Sequence, residues 1–167
     1  MIGLRGVAFF ASAAIGGGAG ASLVGDAGPH VGRQHRPAAV SGTGCSTPVG
    51  RQVCGRTGDP RVRSAMLLGA LLEGGNLTGP WPVGDNGAAY GPYQLHGAGQ
   101  AAGEDPARAT AIMLPRYAEA CSTVPAPSWR ADPRGSAAQC AYRAEKPARM
   151  YTSPRVRDAW ARLGGQR

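Results

Sequence analysis

Three Asp-Pro pairs, Asp59-Pro60, Asp105-Pro106 and Asp132-Pro133, constrain the fold of this 167-residue chain more than any other feature. An aspartate carboxylate accepts from the free N–H groups that open a helix. Proline suits the first helical position, because the N–H it lacks would have no partner there. Each pair therefore predicts a helix start. The first helix should run from Pro60 to about Glu73, where Gly74-Gly75 stops it. Others are predicted over 105–121 and 132–146. A fourth fits 153–163, with Ser153 as cap, Pro154 at the first position and Gly164 as terminator. Between the first two lies "NLTGPWPVGDNGAAYGPYQL", too dense in Gly and Pro for a long helix. Its Asp85-Asn86-Gly87 predicts a turn at the tip of a short hairpin. The expected fold class is mainly α, a helical domain with a small irregular or β-hairpin lobe after the first helix.

The N-terminal part has a different character. Met1 to Arg5 form a short positive segment, "GVAFFASAAI" an apolar one, and Ala19-Gly20-Ala21 a small-residue cleavage site. Residues 1–21 thus read as a signal peptide. Gly16, Gly17 and Gly18 cut the apolar run well below the length of a membrane span. Residues 22–44, rich in Gly, Pro, Ser and Arg, read as a flexible leader, and 45–167 as the folded domain. Cys45, Cys54, Cys121 and Cys140 are an even set, as expected of two disulfides in an exported chain. Of three possible pairings, Cys45–Cys54 with Cys121–Cys140 closes two local loops and is preferred. There is no CxxC and no zinc spacing, so neither metal nor cofactor is expected.

The formal charge of +8 comes from 18 Lys and Arg against 10 Asp and Glu, with Lys146 the single lysine. Such a surface suits an acidic polymer. Nucleic acid would call for a basic stripe with interleaved aromatics, which the chain lacks. An anionic cell wall fits better, bound by a monomer with no stable membrane insertion once the signal is removed.

Glu73 closes the apolar run Ala65-Met66-Leu67-Leu68-Gly69-Ala70-Leu71-Leu72. Met66, Gly69 and Ala70 share its helical face, and the side chain leans back over the two small residues, which should leave room for a bound molecule. An apolar surround and the negative end of the helix dipole both favour the neutral acid. A protonated carboxyl is what a general acid in glycoside cleavage needs.

The residues downstream of Glu73 strengthen this expectation. Glu73-Gly74-Gly75 with "GDNGAAYGPYQL" resembles the lysozyme-like, lytic-transglycosylase superfamily, in which a helix-ending Glu-Ser-Gly precedes a Gly-x-x-Gln segment by some twenty residues. Here that segment is Gly91-Pro92-Tyr93-Gln94. The likeness is densest over 60–97 and extends to "AYRAEKPARMYTSPRVRDAWARL", covering about 60–163. It implies an α+β lysozyme-like fold, with Glu73 protonating the glycosidic oxygen. It also implies that Gln94 and the backbone at Tyr90 and Gly91 hold sugar or the N-acetyl group. Gly91-Pro92 would keep a strand tight against the cleft, and Tyr90 and Tyr93 offer flat faces to pyranose rings. Two positions depart from the pattern: Gly74 stands for the Ser after the Glu, and Ala89 for the Ser before Gly-x-x-Gln.

A hydrolase would need a second carboxylate. Asp85 is the best-placed candidate, although stabilising its own turn is the commoner role of such an Asp. Lytic transglycosylases manage with one Glu, acting as acid and then base, and the chain leans that way. His96 could line the cleft. Trp81 is either a sugar platform or a lid over the core, and Trp160, spaced with Val156 and Leu163, should be core. Ser64 and Ser136 lack the context of a nucleophile. The expected function is a secreted enzyme, extracellular or at the cell wall, that cleaves the β-1,4 glycan strand of peptidoglycan. The alternatives are a catalytically silent lysozyme-like module that binds glycan or a partner protein, and an unrelated secreted disulfide protein.

Overall fold

The computed structural model describes residues 44–147 and 151–165. The signal peptide and nearly all of the leader expected over 1–44 lie outside the described residues. Gly44 opens a short 3-10 turn, Gly44–Ser46, which Cys45 ties to helix α1 (Pro48–Arg56) through Cys54, with a Cα–Cα distance of 5.8 Å. Thr47 caps α1, its Oγ1 accepting from Gly50 N at 3.0 Å. Thr47-Pro48 is the same cap-then-proline signal as the Asp-Pro pairs, and it begins a helix that the sequence reading misses.

Helix α2 (Pro60–Glu73) is the centre of the domain. Asp59 Oδ1 accepts from Arg61 N at 2.8 Å, and Gly75 leaves the helix with φ +76°. Every residue from Ser64 to Leu72 is buried. A helix apolar all round must be covered on all sides. Here α1, α4 (Pro106–Ser122), α6 (Pro133–Glu145) and α7 (Ser153–Arg162) all pack on it. Asp105 and Asp132 cap α4 and α6 as expected. Cys121–Cys140 joins these two helices at a Cα–Cα distance of 4.9 Å. Two short helices, α3 (Gln100–Glu104) and α5 (Ala126–Ala131), complete the set among the described residues. The cap of α7 is Thr152, not Ser153, which is already helical, and Gly164 ends the helix with φ +71°. Trp160, Val156 and Leu163 are buried. None of the described helices is long and apolar enough to cross a membrane.

The lobe after α2 holds a two-stranded antiparallel sheet, β1 (Ala89–Tyr90) and β2 (Leu95–His96), with Ala89 opposite His96 and Tyr90 opposite Leu95. The fold is thus mainly helical with a small sheet. Asp85-Asn86-Gly87 is a turn, closed by a bridge between Gly84 and Ala89. The hairpin between β1 and β2 turns over Gly91 to Gln94, not over Asp85-Asn86-Gly87, the tip expected. Gly91 has φ +78°, and a Cβ on it would lie 1.6 Å from Gly103 O. Only glycine fits that turn against α3.

Candidate active site

The last turn of α2 delivers Glu73 to the wall of a groove of about 840 Å³. Across the groove stand Gln94 and His96 from the hairpin lobe. Glu145 and Lys146 come from the end of α6, Tyr151 from the segment leading into α7 and Arg155 from the first turn of α7. Glu73 is only partly exposed. Its Oε1 accepts from Tyr151 Oη at 2.6 Å, and Arg155 donates to the carbonyl of Leu72 next door. The carboxyl is therefore held at the groove wall by the Tyr151 hydroxyl.

Sequence reasoning does not foresee Glu145. Its Oε1 accepts from Tyr117 Oη at 2.6 Å, and it opens onto the same groove as Glu73. Gly69 makes this possible. A Cβ there would lie 1.7 Å from Tyr117 Oη and 3.4 Å from Glu145 Oε1. The small residues behind Glu73 thus leave room for protein side chains, correcting the expectation that a bound molecule would fill it. Burial pushes the Glu145 carboxyl up to about 8, and the negative charge of Glu73 adds to this, while the Tyr117 hydrogen bond and Arg116 act in the opposite direction. Burial also raises Tyr151 and Tyr117 well above the ordinary phenol range, helped by the neighbouring carboxyls. Both phenols therefore remain O–H donors at any pH at which the protein would work.

The chain matches no family model, no curated protein and no solved structure. What the groove can do must come from its own chemistry. Among the described residues no group of His, Cys, Asp and Glu is arranged to hold a metal ion. The assets are two carboxyls on one opening, each with a phenol donor, and guanidinium groups from Arg116 and Arg155.

The remaining expected residues divide between groove and scaffold. Gln94 borders the groove, but its Nε2 donates to Pro82 O at 2.7 Å and Gly91 O at 3.0 Å, bracing the lobe. Asp85 and His96 both reach the groove and pair with each other at 2.7 Å, with side chains 67% and 60% exposed. Tyr93 does not offer a face to a sugar. It is 2% exposed, packed with its ring centroid 6.1 Å from that of Tyr117, and buried against Thr110. Tyr90 donates its hydroxyl to Gly87 O, closing the turn. Gly91 is spent on the contact with α3. Trp81 is a lid: half-buried on the core, its Nε1 donates to Asn76 O at 3.0 Å. Gly74 has no space for the expected Ser, since a Cβ would sit 2.7 Å from Pro92 Cα and 2.8 Å from Trp81 Cδ1.

Proposed function

We propose that this protein cleaves the β-1,4 glycan strand of peptidoglycan, with Glu73 protonating the bridging oxygen. One observation carries the reading: the Glu73 carboxyl, held by Tyr151, opens onto a groove that continues to Gln94. A positioned acid on the wall of an open groove can reach a bridging oxygen of a polymer bound in it. Tyr151 keeps one carboxyl oxygen in place and leaves the other for the substrate. The lytic-transglycosylase resemblance over 60–163 points to the same chemistry. The two disulfides suit an oxidising, extracellular setting, and the excess of arginine suits an anionic wall.

A second reading has its own support. Gln94, Tyr90 and Tyr93 are committed to the scaffold, as expected of a lysozyme-like module that holds a glycan or a partner protein without cutting it. A zymogram with cell-wall substrate separates the two. The enzyme reading expects clearing by the wild type and a loss of about a hundredfold or more for Glu73→Gln. No clearing by folded wild-type protein favours the binding module. Clearing that survives Glu73→Gln assigns the acid to another residue.

A further inference from the structure

We propose that Glu145 is a second catalytic carboxyl of this groove, and that the glycan is consequently cut by water, not by the sugar's own hydroxyl. The inference rests on the reading of the groove as a glycan-cleaving site and adds a residue and a product to it. Three observations support it. Glu145 and Glu73 arrive from different helices and open onto one cavity. Gly69 is hollowed out so that the Tyr117 phenol can reach Glu145 and orient its carboxyl. The carboxylate expected to serve water, Asp85, is instead a largely exposed partner of His96.

Cleavage by water needs one carboxyl with a proton and another without. Two carboxyls facing one groove meet that need together, because burial, helped by the negative charge of Glu73, keeps a proton on Glu145. The reactive arrangement is reached when that proton moves from Glu145 to Glu73. Tyr117 Oη and the Arg116 guanidinium stabilise the negative charge on Glu145. Glu73 passes its proton to the bridging oxygen as the bond from the anomeric carbon to that oxygen breaks, and the oxygen keeps the electron pair. A water molecule forms the new bond to the anomeric carbon and gives its proton to Glu145. Return of that proton to Glu73 restores the reactive arrangement. The product has an ordinary reducing end and no anhydro ring.

The test is mass spectrometry of fragments released from peptidoglycan in ¹⁸O-labelled water by wild type, Glu73→Gln and Glu145→Gln, with melting curves for each. Glutamine keeps an acceptor for Tyr117, so the variant is expected to fold, and the wild-type product analysis needs no variant. The inference expects labelled reducing ends from the wild type and a fall of about a hundredfold in kcat/KM for Glu145→Gln. It also expects an alkaline limb in the wild-type pH profile near 8, where Glu145 gives up its proton, and a displaced limb in the variant. Anhydro products overturn it, as does a Glu145→Gln protein within threefold of wild type beside an inactive Glu73→Gln. Both of those outcomes leave the Glu73 reading standing. Absence of cleavage by the wild type, or full cleavage by Glu73→Gln, removes the reading and the inference together.

Discussion

Gly69 decides which groups can stand beside Glu73. With no side chain at this position, Tyr117 comes within 1.7 Å of where a Cβ would be, and its hydroxyl meets Glu145. Gly69→Ala must push the phenol aside in a closed core. Overpacking of that kind costs about 1–3 kcal/mol, measurable by denaturant unfolding. Helical spacing in the sequence reveals that Gly69 and Glu73 share a face, but not what other helices send into that face. Glu145 is the clearest example: in the sequence it is one polar residue at the end of a helix, and only the packing of α6 on α2 makes it a groove carboxyl. Its protonation has a consequence for stability. The unfolded chain ionises this group in the ordinary carboxylate range, the folded chain only near 8. Between those limits the folded state binds the extra proton, so the stability from this group is complete at low pH and is lost as pH rises to about 8. Melting temperatures of the wild type should therefore fall, relative to Glu145→Gln, between pH 5 and 8. Parallel curves would contradict the assignment.

Among the elements, the legible ones carry their own start signals. Asp59, Asp105 and Asp132 each accept a backbone N–H at the head of a helix, as their sequence context dictates. Helices α3 and α5, of 5 and 6 residues, have no side-chain cap and are held by their neighbours, so local chemistry does not announce them. The hairpin is half legible. Asp85-Asn86-Gly87 reads as a turn and is one, yet the turn between the strands is Gly91 to Gln94, set by the close approach of Gly103. The junction of α2 with this lobe is equally tight. Gly74, in the place of the Ser of the resembled superfamily, lies against Pro92 and Trp81. Gly74→Ser is accordingly expected to destabilise the protein by about 1–3 kcal/mol and to leave cleavage no faster. A gain in activity at unchanged melting temperature would show that the junction yields more easily than its contacts indicate.

At the scale of the whole described domain, the two disulfides have different duties. Cys45–Cys54 closes a separation of 9 residues that takes in most of α1, which contributes no residue to the groove wall. Cys121–Cys140 spans 19 residues and joins α4 to α6. Tyr117 lies four positions before Cys121, and Glu145 five after Cys140, so this bridge bears on the distance between phenol and carboxyl. Cys140 Sγ also lies 3.7 Å from Tyr117 O. Loop closure of this length contributes about 3 kcal/mol, and the shorter loop somewhat less. Replacing Cys121 and Cys140 together by serine should lower the melting temperature by roughly 10 °C and move the alkaline limb assigned to Glu145. The matching change at Cys45 and Cys54 should also lower the melting temperature, but leave that limb in place. Comparing pH profiles of the two double variants below their melting temperatures checks whether the α4–α6 bridge serves the site as well as the fold. Identical profiles would confine it to the fold.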